Sequence, residues 1–121
     1  MSDLVEFLKA RFNEDEQTAR KVTAMTWSLL RDPGGVRIED ENGSPIASDA
    51  YDAPLTADEL EHIARHDPAR VLREVEAKRR MLPHLIVDGH TLDHCDRCMV
   101  LRLLALPYAD HPDHREEWKQ I

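Results

Sequence analysis

The chain opens on a helical stripe. Between residues 3 and 30, Val5, Leu8, Phe12, Ala19, Val22 or Thr23, Thr26 and Leu30 recur at the spacing of one helix face. The pattern predicts one long helix, or two with a break near Asn13, closed by Asp32-Pro33-Gly34-Gly35. Glu14, Asp15 and Glu16 interrupt the stripe, and at about 100° per residue Glu16 falls inside its apolar face.

A period of two follows. Val36 and Ile38 alternate with Arg37 and Glu39, and Asn42-Gly43 stands before Ser44-Pro45-Ile46-Ala47. This predicts a hairpin of two short, charged strands, too polar to stand without the helices. Thr56-Ala-Asp-Glu59 has the form of a capping box, so a helix starts at 57. That helix cannot run smoothly through Pro68, but Asp67-Pro68 is itself an N-cap followed by proline at the first helical position. The expectation is a kinked pair, 57–65 and 68–82, the second member aligning Val71, Val75, Lys78 and Leu82. Leu85-Ile86-Val87, after Pro83, reads as a loop or brief strand. Residues 99–106 form the most apolar run and predict a buried central helix ended by Pro107. The tail from Asp110 predicts a short capped helix that packs Trp118 back onto the body. The fold class expected is mainly α: a compact single-domain helical bundle over 1–121 with a kinked central helix pair and a small β-hairpin.

Composition supports one domain, since 121 residues with 41% hydrophobic content can bury a core. Charge restricts the partners. The net charge is -8, and the first 60 residues carry 13 acids against 6 bases. Such a surface repels DNA and anionic membranes and attracts a basic protein, so the expected partner is a basic protein, with no direct nucleic-acid or membrane contact. Lys78, Arg79 and Arg80 form the one basic cluster, which reads as a solvated helix end. No apolar run approaches the roughly 20 residues that span a bilayer, and no basic leader region is seen, so the expected location is the cytoplasm.

Candidate chemistry centres on Cys95-Asp-Arg-Cys98, because two thiolates at this spacing can reach one metal ion and make half of a tetrahedral zinc site. His84, His90 and His94 lie just upstream and can supply the other half, although the spacing is not that of a zinc finger. Two other readings compete: both cysteines as small apolar residues at the start of a buried helix, or a redox dithiol at a helix N-terminus. The redox reading wants a βαβ frame, and the second half offers one strand candidate.

His62 and His66 stand four apart, a spacing that holds a metal when a third ligand arrives. Ile63 excludes the His-Glu-x-x-His protease motif, and one surface histidine beside one helix-end histidine is the simpler reading. Glu14, Asp15 and Glu16 cannot all face one Mg²⁺ from a helix, and no second acidic helix motif accompanies them. A Gly-rich phosphate loop is absent.

Three stretches carry a resemblance: Asp3-Leu-Val-Glu-Phe-Leu-Lys-Ala-Arg11 with Asp15-Glu16; His62-Ile-Ala-Arg-His-Asp-Pro-Ala-Arg-Val-Leu-Arg-Glu-Val-Glu-Ala-Lys-Arg80; and Leu101-Arg-Leu-Leu-Ala-Leu-Pro-Tyr-Ala-Asp-His-Pro-Asp113 with Glu117-Trp118. Together they resemble domain of unknown function 6221, a mostly actinobacterial family also found in phage genomes. The resemblance implies a short cytosolic protein of no assigned activity and carries over no catalytic residues. The family pattern has a longer segment before the Leu-Arg-Leu-Leu helix, with a Cys-x-x-Cys pair, a further Cys just before Leu-Arg and a His after the Lys-Arg run. Here His84 and Cys98 match the last two positions. The segment is shorter and Cys95 stands outside the aligned pattern, so a fourth ligand has to be His90 or His94 in place of a thiolate. The function expected is a zinc-stabilised helical interaction or regulatory module without catalytic activity. The alternative is a small enzyme, either a Cys-x-x-Cys thiol oxidoreductase or a metal-dependent hydrolase.

Overall fold

The computed structural model describes residues 2–50, 55–86 and 96–120. Helix α1 (Ser2–Arg20) is followed by strands β1 (Trp27–Asp32), β2 (Gly35–Asp40) and β3 (Pro45–Ser48). Helices α2 (Ala57–Arg65), α3 (Pro68–Leu85) and α4 (Asp96–Ala105) come next, then 3₁₀ turns at Leu106–Tyr108 and Glu116–Lys119. The protein is therefore mainly helical with one small antiparallel sheet, strand order β1-β2-β3. The chain divides into two compact units, Gln17–Arg73, and Met1–Glu16 together with Glu74–Ile121.

In the unit 17–73 the sheet is larger than the sequence pattern predicts. Residues 27–32, which the opening stripe places on a helix, form β1, and α1 ends at Arg20 without a break at Asn13. The supposed helix stop, Asp32-Pro33-Gly34-Gly35, is instead the β1–β2 turn. Oδ1 of Asp32 accepts the Gly34 N–H at 2.8 Å, and Gly35 takes a φ of 128° that only glycine adopts readily. Leu30 matches a helical period, but over six residues helix and strand periods share positions, so the turn decides. The Asn42-Gly43 hairpin forms as expected, with Gly43 at φ 79° and Oδ1 of Asp40 accepting the Asn42 and Ser44 N–H groups. Leu29 pairs with Ile38 and Ile38 with Ala47, and Ile38 is fully buried.

Helix α2 packs on β1 and β2 through buried Leu60. Its capping box is complete: Thr56 Oγ1 accepts the Glu59 N–H at 3.1 Å and Glu59 Oε1 accepts the Thr56 N–H at 2.9 Å. Buried Asp67 does two jobs. Its Oδ1 caps α3 by accepting the Arg70 N–H at 2.9 Å, and its Oδ2 accepts the Trp27 N–H of β1 at 3.1 Å.

In the other unit, α1 buries Leu4, Val5, Phe7, Leu8 and Phe12, α3 buries Val75 and Leu82, and the tail buries Trp118. Two expectations need correction. Helix α3 continues through Pro83 to Leu85, so Leu85 is helical rather than loop or strand. A proline in the last turn deletes a single backbone donor, and Ile86 N–H still reaches the Leu82 carbonyl at 3.1 Å. The apolar run 99–106 is buried on one seam only. Cys98, Leu101 and Ala105 are fully buried, whereas Met99, Val100, Leu103 and Leu106 are 38–46% exposed. With Arg102 the single charged residue in 99–106, the run carries little phase from which the inward face can be read.

Candidate functional site

Of the five predicted metal ligands, His84 and Cys98 are described; His90, His94 and Cys95 lie outside the described residues. His84 is exposed in the last turn of α3. Cys98 is fully buried in the first turn of α4, sharing the seam of Leu101 and Ala105. Among the described residues no group of three or more His, Cys, Asp or Glu is placed to hold a metal ion.

Among the described residues a polar and aromatic cluster surrounds Phe7; the sequence predicts that Trp118 packs back onto the body but gives His111 and His114 no part in it. Tyr108, His111, His114 and Trp118 all meet the Phe7 ring, with centroids 5.1 to 6.4 Å away. Arg11, itself buried, lies over the same ring at 5.1 Å, sits against Nε2 of His111 and pairs with Glu14 at 3.0 Å. Nδ1 of His111 accepts the Asp113 N–H at 3.0 Å. Both ring nitrogens of His114 are buried without a hydrogen-bond partner. A concavity of about 450 Å³ opens beside the cluster, lined by Asp3, Phe7, Arg11, Asp113, Arg115 and Trp118 among others. Its arginines are matched by carboxylates, Arg115 by Asp3 at 2.9 Å, so it offers no unbalanced cation for an anionic ligand. The signal available in the sequence was His111-Pro-Asp-His114, two imidazoles held three apart around a proline.

The acidic run 14–16 is dispersed. Glu14 pairs with Arg11, Asp15 accepts the Tyr108 hydroxyl, and Glu16 pairs with Arg79, whose Nη2 also donates to Asn13 at 2.6 Å. The three neighbours thus take three different partners. Burial, then the hydrogen bond to Asp15, holds the Tyr108 hydroxyl protonated well above its ordinary range. The basic cluster is likewise engaged: Arg79 as above, and Arg80 with Glu76 at 2.9 Å.

On α2 the rings of His62 and His66 lie 4.4 Å apart between centroids, and Nδ1 of His66 donates to the His62 carbonyl at 2.7 Å.

These features define a small α-rich protein with a three-stranded antiparallel sheet and a buried thiol at a helix start. The chain belongs to the family of unknown function DUF6221, whose model matches residues 1–120. No curated protein and no solved structure matches it.

Proposed function

We propose that this protein is a helical interaction module that presents the outer face of α4 to a basic, amphipathic helix of another protein, with zinc steadying the segment that precedes α4. The observation that carries the reading is the stripe Met99, Val100, Leu103 and Leu106, which follows helical spacing and stays exposed while Cys98, Leu101 and Ala105 anchor the opposite side. The partner's basic character rests on the charge of the chain as a whole, net -8 with 13 acids against 6 bases in the first 60 residues, and α4 itself supplies the apolar contact. Zinc is held by Cys95, Cys98, His84 and one of His90 or His94, which ties the end of α3 to the start of α4. No group in this reading acts as a general base or nucleophile.

Two measurements on the full chain test it. Protein purified without chelator contains close to one equivalent of zinc, Cys95→Ser loses the metal, and a chelator loosens residues 84–98 by hydrogen exchange while the long helices persist. A Leu/Lys amphipathic peptide binds wild type in a salt-sensitive manner and fails to bind Leu103→Lys. Metal-free protein with unreactive thiols removes the zinc part. Disulfide reductase or metal-dependent hydrolase activity lost in Cys95→Ser replaces the module with an enzyme. Concentration-dependent self-association abolished by Leu103→Lys assigns the face to a second copy and overturns the basic partner.

A further inference from the structure

Helix α2 ends on two imidazoles one turn apart. His62 and His66 are both exposed, and their rings lie 4.4 Å apart with planes tilted by 39°. His66 is the C-cap, with φ -110° and ψ 42°, at the point where helix carbonyls run out of amide partners. Its Nδ1–H supplies one, donating to the His62 carbonyl at 2.7 Å. That bond also sets the tautomer. With the proton on Nδ1, the neutral ring leaves the Nε2 lone pair open, and the carbonyl behind Nδ1 is the second contact that metal-ligating histidines characteristically make.

We propose that His62 and His66 form a two-imidazole site for a borderline divalent cation of the Cu²⁺, Ni²⁺ or Zn²⁺ class, taken from solvent. Two nitrogens bound to one ion at about 2.0–2.1 Å stand roughly 3 Å apart. The centroids stand 4.4 Å apart, and with His66 held by its bond to the His62 carbonyl the exposed His62 ring makes the adjustment about its side-chain torsions. Capping explains the His66 bond but gives no role to the His62 ring beside it, whereas chelation uses both. Imidazole donors select against Mg²⁺ and Ca²⁺, which take oxygen ligands, and the affinity order of divalent metals puts Cu²⁺ first. Among the described residues no third His, Cys, Asp or Glu joins the pair, so water completes the shell. The site shares no residue with the cysteine-containing segment, and either can exist without the other.

The test is a titration of the full chain with Cu²⁺ below one equivalent, followed by paramagnetic broadening of backbone and imidazole resonances. In a Cys95→Ser background, which disarms the competing segment, signals from His62, Arg65 and His66 broaden first. His62→Gln and His66→Asn each weaken the affinity about tenfold or more, since each leaves a single donor without the chelate advantage. His66→Asn keeps a residue suited to a helix end, and circular dichroism confirms that both variants stay helical. A thermal shift with Ni²⁺, present in the parent and lost in His62→Gln, supports the same conclusion. Broadening that starts elsewhere, or that persists near residue 62 in His62→Gln, overturns the proposal.

Discussion

The hydroxyl of Tyr108 donates to Oδ2 of Asp15 at 2.6 Å, fastening the turn after α4 to α1. Tyr108→Phe removes the bond and leaves a half-buried carboxylate short of a donor, at a cost of about 1 kcal/mol. The pH dependence has a definite sign. Burial, then the bond to Asp15, raises the folded-state pKa above the ordinary 10.0. The stabilisation is complete below that value and is lost as pH rises through the raised one. Denaturant melts of wild type and Tyr108→Phe therefore differ by a constant amount up to about pH 10 and converge above it.

Glu16, the acid that falls within the apolar face of α1, is matched by Arg79 of α3, with the two side chains only 29% and 31% exposed. Arg79→Met removes charge-assisted bonds to Glu16 and Asn13 and costs about 1.5–3 kcal/mol. Arg80→Met is the control. Its pair with Glu76 is 79% and 56% exposed and so is worth at most about 0.5 kcal/mol. Equal losses in chemical denaturation would contradict the distinction.

These two contacts mark the boundary of what a sequence can show. Local signals were legible: the Thr56 capping box, the Asp67-Pro68 restart and the Asn42-Gly43 turn all depend on neighbours within a few residues. Glu16 was legible as an anomaly in the stripe, but its partner lies 63 residues away and no spacing rule points to it. The strand 27–32 was missed because its Pro-Gly turn serves equally well as a helix stop. The Phe7 cluster was missed because the tail histidines carry no periodicity, and the exposed side of α4 because a run with Arg102 as its single charge between 99 and 106 hardly marks a preferred face. Of the predicted metal ligands, the structure adds the burial of Cys98 and the exposure of His84.

Acid should loosen the start of α2. Glu59 is held below the usual carboxylate range by hydrogen bonds with the backbone and then the side chain of Thr56. A lowered pKa contributes stability above the unfolded value of about 4.5 that is lost as pH falls through the folded one. Glu59→Gln keeps a capping side chain that does not titrate. Wild type is thus the more stable at neutral pH, and the gap closes in acid. A gap that is flat from neutral pH to pH 3 would show that the ionised form adds nothing to the cap.

The two turn glycines should respond unequally to alanine. At Gly35, with φ 128°, a Cβ would stand 2.6 Å from Oδ1 of Asp49, the oxygen that accepts the Val36 N–H. Strain and displacement of that carboxylate together cost about 1–3 kcal/mol in Gly35→Ala. At Gly43 a Cβ would meet nothing within 4 Å, so only the backbone penalty at φ 79° remains, roughly 1 kcal/mol. Thermal melts rank the two variants.

Leu101 and Leu103 sit two residues apart on α4, yet one is fully buried and the other 45% exposed. Leu101→Ala opens a cavity beside Cys98 and Ala105 and costs about 2–5 kcal/mol, depending on how far the neighbours relax. Leu103→Ser removes a side chain already largely in water and changes stability by roughly 0.5 kcal/mol or less. The same substitution breaks up the exposed stripe with Met99, Val100 and Leu106, so it lowers affinity for a basic amphipathic helix while leaving the fold intact. A Leu103→Ser protein as unstable as Leu101→Ala would mean that α4 is enclosed on all sides, and the interaction face would have to be sought elsewhere.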